Sequence, residues 1–485
     1  MLLLSRVGSV RSILGYVLVA AAAIVCLLAS LTSVPTDLVP RTLGSLVPAG
    51  RRSDLNLLVI TLDTTRADAI GTYGGRAVTP TLDQLAGTGF MFEQASTVAP
   101  LTLPAHCSLF TGLFPPGHHV HGNGQALASG FVTLAERLNA RGFETGAFVS
   151  SFVLDHEWGL NQGFDVYRDV NTRRGPIDRT SLRRPADRIV DDALGWLQEI
   201  DHSRFFAWLH FYDAHAPSQP SAEFASPNGQ DTYAGAIGFI DFQLSRVISF
   251  LDERGLLEST VVVIVGDHGE SLGEHGEATH GLFVYQSVIH VPLIIRVPVA
   301  RMQGRRVTEP VRVVDIMPTV LDLLGQTAAP ATDGTSLVPL MSGAVKEMGL
   351  EAYSESRYGF DRFGWSPLKA LRQGRFKLIL APRPELYDLA SDPDETTNLY
   401  GQRAGLVNAL TRRLEEIESP AQAQRAADAP ALDSDTRARL AALGYVSLPA
   451  PRGPIDAGAR LRDPKDHIDL YRQFTERSQH QRGFP

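Results

Sequence analysis

The chain has 485 residues, 44% of them hydrophobic and 20% charged, with a formal net charge of −8. That length and composition suit a folded protein with one large core or two domains, and the acidic balance supplies no basic footprint for nucleic acid. Its two cysteines, Cys26 and Cys107, exclude a disulfide framework and a cysteine–zinc cluster.

Arg6 and Arg11 precede an uncharged run from Ser12 to Thr36, long enough for one membrane-spanning helix. Positive charge on its N-terminal flank predicts an extracytoplasmic body. The run either stays as an anchor in the membrane or is cleaved as a signal peptide near "LLASLTS", which leaves the body exported. The expected organisation is this segment over 1–36, a linker over 37–53, a main domain over 54–345, a smaller C-terminal subdomain over 346–449 and a tail over 450–485.

"LNLLVITL" (Leu55–Leu62) is a continuous apolar run with β-branched residues and reads as a strand buried on both faces. "TLDQLAGTG" follows as a helix stopped by Gly89. "FVTLAERLNARG" is a helix ending at Gly142, and "ETGAFVS" and "RFFAWLHF" are strands. "AGAIGFIDFQLSRVISFLDERG" reads as a long amphipathic helix, followed by strands "TVVVIVG" and "VPLIIRVP". This alternation predicts an α/β fold with a mostly parallel central sheet flanked by helices. From about Leu350, "KALRQGRFKLILAPRPELYDL" reads as hairpin strands and "AGLVNALTRRLEEIE" as a helix, a smaller C-terminal α+β subdomain. The tail has little periodicity beyond "DHIDLYRQFTER" and reads either as loose or as the remnant of a longer segment.

Three buried runs each deliver an acid or imidazole just past their end: Asp63, then Asp213 and His215, then Asp267 and His268. In an open α/β sheet, sites assemble at that carboxyl edge. Each aspartate alone reads as a helix N-cap. Together, and with "GDHGE" placing two donors on one Gly-flanked turn, they predict a divalent-metal site for Ca²⁺, Mg²⁺, Mn²⁺ or Zn²⁺. "TLPAHCSLFTG" reads as a helix with Pro104 near its start and Gly112 beyond its end. Thr102 then sits at a helix N-terminus, which favours an anion, and a nearby cation would make its hydroxyl a nucleophile toward a phosphate or sulfate ester. Cys107 reads as a small packing residue.

These motifs, in this order, resemble the sulfatase branch of the alkaline-phosphatase superfamily over roughly Leu55 to Gly444. "NLLVITLDTTRAD" is similar to the opening strand with its metal-binding Asp, and "TLPAHCSLFTG" to the nucleophile signature Cys-x-Pro-x-Arg. "VGDHGESLGEHGE" is similar to the second metal-binding turn, and "GRFKLI" with "ELYDLASDPDETTNL" to the C-terminal subdomain. The resemblance implies a metal-dependent hydrolase with Asp63, Thr102, Asp267 and His268 as metal ligands and Thr102 as nucleophile. It implies that His215 in "YDAHAP" contacts the ester oxygens or the leaving group, and that His280 in "EATHG" stands near the substrate oxygens. His106 takes the place of the supporting Arg as a further catalytic candidate, and Asn123 falls where phosphodiesterase relatives place an amide against the phosphate.

The departures carry chemistry of their own. Thr102 replaces the cysteine that becomes formylglycine, and Thr64 replaces a second adjacent Asp. A formylglycine hydrate sheds sulfate by collapsing to an aldehyde, whereas a threonine ester needs a second in-line attack, which tilts the expectation toward phosphoester or phosphonate over sulfate. One ion is favoured, because Asp213 and His215 do not match the spacing of two-metal relatives. The expected substrate is a small-molecule, glycan or lipid ester, with the membrane reached through the N-terminal segment. The competing readings are a phosphoryl head-group transferase at the membrane and a non-catalytic binding protein.

Overall fold

A computed structural model describes residues 54–170, 182–200, 203–218, 223–224, 231–298, 304–326, 332–419, 434–443 and 461–480. The expected N-terminal apolar run and its linker lie outside the described residues.

The apolar runs form the strands they predict, because β-branched and aromatic side chains pack well on a pleated, buried surface. In chain order the main sheet contains β1 (Asn56–Leu62), β2 (Phe90–Ser96), β3 (Glu144–Phe148), β4 (Val166–Arg168), β5 (Phe205–Phe211), β6 (Thr260–Gly266), β7 (His290–Arg296), β8 (Arg305–Val307) and β9 (Val311–Arg312). Their spatial order is β4-β3-β5-β1-β6-β7-β2-β8, with β9 also paired to β2. β1 lies between β5 and β6, parallel to both, and every one of its residues is buried. β7 is antiparallel to β6 and β2, so the sheet is mostly parallel with one reversed strand.

Alternation along β1 divides the core. Leu57 and Val59 join Trp208, Val263 and Leu103 on one face, while Leu58, Ile60 and Leu62 join Leu209, Ile264 and Leu244 on the other. Leu244 belongs to the helix Thr232–Glu253, the amphipathic segment that the sequence predicts. Each fully buried aliphatic side chain contributes about 1.5–3 kcal/mol.

The smaller sheet is antiparallel: β10 (Glu351–Ser356), β11 (Leu368–Gln373), β12 (Phe376–Leu380) and β13 (Glu385–Asp388). The helix Ala404–Ile417 lays Val407, Leu410 and Leu414 into the core. β10 is tied to the main domain where the Glu355 N–H donates to the Val98 carbonyl (2.9 Å) and the Ser354 hydroxyl to the Thr97 carbonyl (2.7 Å). That contact sets the subdomain beside the segment leading into Thr102.

The tail is not loose where it is described. Its helix Ile468–His480 buries Tyr471 against the rings of Tyr358 and Phe363, and the Tyr471 hydroxyl lies 3.3 Å from Thr279 Oγ1. Asp463 accepts the Arg383 N–H at 2.9 Å. Weak periodicity hid this docking because one or two aromatic anchors suffice to hold a short helix.

Candidate functional site

Parallel pairing of β1 with β5 and β6 brings three strand ends to one edge, with Leu62 opposite Phe211 on one side and Gly266 on the other. The residues that follow, Asp63 and Asp267, are both buried there, with His268 beside them. The helix Thr102–Thr111 starts at the same point and ends at Gly112, whose φ of 68° makes the left-handed cap that glycine adopts without steric cost. Leu101 is its N-cap, and Thr102 is the first helical residue. The Thr102 hydroxyl turns away from the helix backbone: Oγ1 lies 3.2 Å from Asp63 Oδ2 and 3.4 Å from His268 Nε2.

Asp267 is held by its own turn. Its Oδ1 accepts the N–H groups of Thr64 (3.2 Å) and His268 (2.6 Å). Thr64 pays for this with a φ of 49°, an uncommon conformation for a β-branched residue. Tyr233 locks that turn, donating its hydroxyl to the Thr64 carbonyl (2.6 Å) and accepting the Arg66 N–H (3.0 Å). The position that departs from the resembled pattern therefore supplies a backbone donor rather than a carboxylate.

The donor set fits a cation. Asp63 Oδ1 and Asp267 Oδ2 are buried and have no hydrogen-bond partner among the described residues. Burial pushes both carboxyls well above the usual range; the Thr102 hydroxyl partly offsets this at Asp63, and the Asp63 charge adds to it at Asp267. Two desolvated carboxylates with free oxygens are costly unless a positive charge meets them. His268 has the right tautomer to be a ligand: Nδ1 donates to the Gly269 carbonyl (2.9 Å), which leaves the Nε2 lone pair facing the cluster. Burial lowers this imidazole to about 4, so it is neutral at pH 7. Ligand atoms of Asp63, Asp267 and His268 lie within 4.8 Å of one another, as do those of His106, His210 and Asp267.

The remaining expected residues gather around this cluster. His106 Nδ1 donates to the Thr102 carbonyl (2.7 Å), which leaves a buried Nε2 without a partner. Asn123 Oδ1 accepts the Leu103 N–H (2.9 Å), one residue past Thr102, and its Nδ2 is buried without a partner. His280 Nδ1 donates to Glu270 Oε1 (3.1 Å), and its ring centroid lies 4.6 Å from that of His268 and 4.9 Å from that of His215. His215 stacks on Tyr212 at 4.2 Å. Burial raises Glu270 well above the usual carboxylate range and lowers His280 to about 4.

Other residues are diverted to structural roles. Asp213 accepts the Ala186 N–H (3.3 Å) at the start of the helix Ala186–Glu199, so it serves that helix instead of the cluster. His118 bonds Ser108 Oγ (2.8 Å), and His121 Nδ1 bonds Glu355 Oε1 (2.5 Å). His119 and His121 line a groove of about 290 Å³ with Glu355, Arg357, Lys369 and Glu418. Cys107 is fully buried, and burial raises its thiol pKa, consistent with packing.

His210 was missed by sequence reasoning. It shares one face of β5 with Phe206 and Trp208, and its Nε2 lies 3.3 Å from Asp63 Oδ2. Period-two alternation in "RFFAWLHF" carried the signal, but attention went to the residues past the strand's end.

A family model described as "Sulfatase" matches residues 55–326, and one described as "N-sulphoglucosamine sulphohydrolase, C-terminal" matches residues 273–420. The uncharacterized sulfatase YidJ of Escherichia coli (strain K12) is 24% identical over 446 residues, spanning 75% of this chain and 88% of that protein. The solved structure of BT4656 in complex with its substrate D-glucosamine-2-N,6-O-disulfate has a TM-score of 0.66 at 20% identity and covers 76% of this chain and 98% of that one. The phosphonate monoester hydrolase of Agrobacterium radiobacter has a TM-score of 0.60 at 23% identity, covering 75% of this chain and 95% of that one.

Proposed function

This chain belongs to the sulfatase family, a hydrolase acting on sulfate or phosphate esters, and from that membership we propose that it uses Thr102 as nucleophile on a phosphoester or phosphonate. The carrying observation is the Thr102 hydroxyl at the start of a buried helix, 3.2 Å from Asp63 Oδ2 and 3.4 Å from His268 Nε2. The helix start contributes partial positive charge where an anionic ester would lie.

Asp63, Asp267 and His268 would hold one divalent cation, with Thr102 as a further oxygen donor. When bound, that ion supplies charge neutralisation for the ester oxygens and favours the deprotonated hydroxyl. Thr102 Oγ1 attacks phosphorus in line, the new O–P bond forming as the ester O–P bond breaks. The Nδ2 group of Asn123 has no acceptor among the described residues and is available to a non-bridging oxygen. Thr102 gives up its hydroxyl proton, and His280 or His215 takes that proton up on Nε2 and passes it to the departing alcohol. Water then attacks the phosphorylated threonine, and Thr102 regains its proton as phosphate or phosphonate leaves. Threonine has no aldehyde to collapse to, which favours phosphorus over sulfur as the reacting centre. The fold is shared with a phosphonate monoester hydrolase and with the glucosamine-disulfate complex alike, so the choice of substrate class rests on Thr102.

The test is a panel of chromogenic phosphate mono- and diesters, phosphonates and sulfates, assayed with metal-stripped and metal-restored protein. Thr102→Ala is expected to lose turnover on every substrate by about 10⁴-fold or more. Full turnover in that variant would end the proposal, and a preference for sulfates would reverse the choice of phosphorus. The N-terminal segment supports an extracytoplasmic site of action, reached as an anchored or an exported protein.

A further inference from the structure

Asp63 is approached from two sides at the same oxygen. Thr102 Oγ1 lies 3.2 Å from Oδ2, and His210 Nε2 lies 3.3 Å from that same Oδ2, while neither His210 Nε2 nor Asp63 Oδ1 makes a hydrogen bond among the described residues. The protonation pattern of His210 follows from its other nitrogen. Ser150 presents its backbone N–H to His210 Nδ1 at 3.3 Å. An N–H only donates, so Nδ1 is the acceptor, and the hydrogen of the neutral ring sits on Nε2, toward Asp63. Ser150 fixes the residue a second time, because its hydroxyl donates to the His210 carbonyl. The neighbouring histidines have the opposite arrangement. His268 and His106 each turn Nδ1 to a carbonyl oxygen and so keep Nε2 as a lone pair.

This difference separates ligand-type from donor-type imidazoles in one buried cluster. His268 and His106 can offer a lone pair to a cation, whereas His210 turns its Nε2 hydrogen toward Asp63 Oδ2, 3.3 Å away, with no aligned hydrogen bond of its own among the described residues. We propose that His210 is a positioning residue that holds Asp63 by its Oδ2 edge and leaves Oδ1 for the cation. The inference rests on the reading of Asp63 as a metal ligand. It acts through orientation: the register Thr61↔His210 sets the imidazole on the strand next to β1, two residues before Asp63, and the buried ring packs edge-on to His106 at 5.1 Å. A carboxylate so braced loses little rotamer freedom on binding an ion, and losing such an outer partner typically weakens metal affinity about 10–100-fold.

The experiment titrates Mn²⁺ and Zn²⁺ into metal-stripped full-length protein by calorimetry, for wild type, His210→Phe and His210→Gln. Phe keeps a buried ring without a donor, and the Gln amide can place an N–H near the site of Nε2. His210→Phe is expected to raise the dissociation constant about 10–100-fold, with kcat recovering at saturating metal. His210→Gln is expected to stay within a few-fold of wild type. Melting of the metal-stripped variants identifies any loss of folding. If Phe fails to fold, the Gln comparison still decides: a Gln variant that folds but binds metal about 10-fold or more weakly than wild type overturns the inference. Wild-type affinity in His210→Phe overturns it as well. Failure of wild type itself to bind either ion would instead overturn the metal-site reading, so the two failures are distinct.

Discussion

Asp267→Asn separates the energetic role of the cluster from its chemical one. The asparagine Oδ1 can keep both backbone bonds, from Thr64 and His268, so the turn is retained. The change falls on Oδ2, which is buried and unpartnered and becomes a neutral amide. In metal-free protein this removes a buried carboxyl that must be either held charged or kept protonated, a relief of about 1–3 kcal/mol. The sign follows from the raised Asp267 carboxyl: the folded state retains a proton that the unfolded state releases. Metal-free wild type therefore loses stability as pH climbs from the ordinary carboxylate range toward the raised folded value, and the variant lacks that slope. With metal the order reverses. Wild type gains about 2.7 kcal/mol at one hundred times the dissociation constant, and the variant, short of one ligand, gains much less. Calorimetric melting at pH 7.5 should place the variant a few degrees above wild type after chelation and below it after Mn²⁺ is restored. If the variant were less stable in both states by the same amount, the assignment of Asp267 to a cation would be wrong.

Two further predictions concern parts outside the cluster. Burial raises Asp213 to about 6, so its contribution to stability is lost as pH rises from about 4 to 6, on the order of 3 kcal/mol. Asp213→Asn, which keeps an oxygen for the Ala186 N–H, should flatten that slope and stabilise the protein at pH 7.5; urea unfolding at pH 4.5 and 7.5 reads both, and an unchanged slope would refute the assignment. The N-terminal run predicts that the full-length protein fractionates with membranes or outside the cell. N-terminal sequencing of the mature chain then distinguishes anchor from cleaved segment, and a wholly cytoplasmic protein would contradict the export reading.

Much of the fold was legible in short runs. The three central strands announced themselves by continuous apolar residues, and the helix Thr102–Thr111 by Pro104 near its start and Gly112 past its end. Asp63 and Asp267 were legible because each follows a buried strand directly, and His268 because it comes next in the same Gly-flanked turn. The tail was not, since its docking depends on Tyr471 meeting rings from the far side of the chain. Asp213 stands differently: it lies one residue further past its strand than Asp63 does, and the helix Ala186–Glu199 lies close enough to claim its oxygen.

What the amino-acid sequence determined by itself was local: where strands and helices begin, which residues share a face, and that Thr102 opens a helix. Periodicity and capping encode these because they depend on neighbours within a few positions. Only the tertiary structure decided that β1 lies between β5 and β6, that β7 runs backwards, and that Asp63, Thr102, His210 and Asp267 meet. Strand order and register arise from contacts between residues far apart in the chain, so the face of a strand is written locally but its partner is not. His210 shows the physical reason: alternation places it on a face, and only pairing with β1 turns that face toward Asp63.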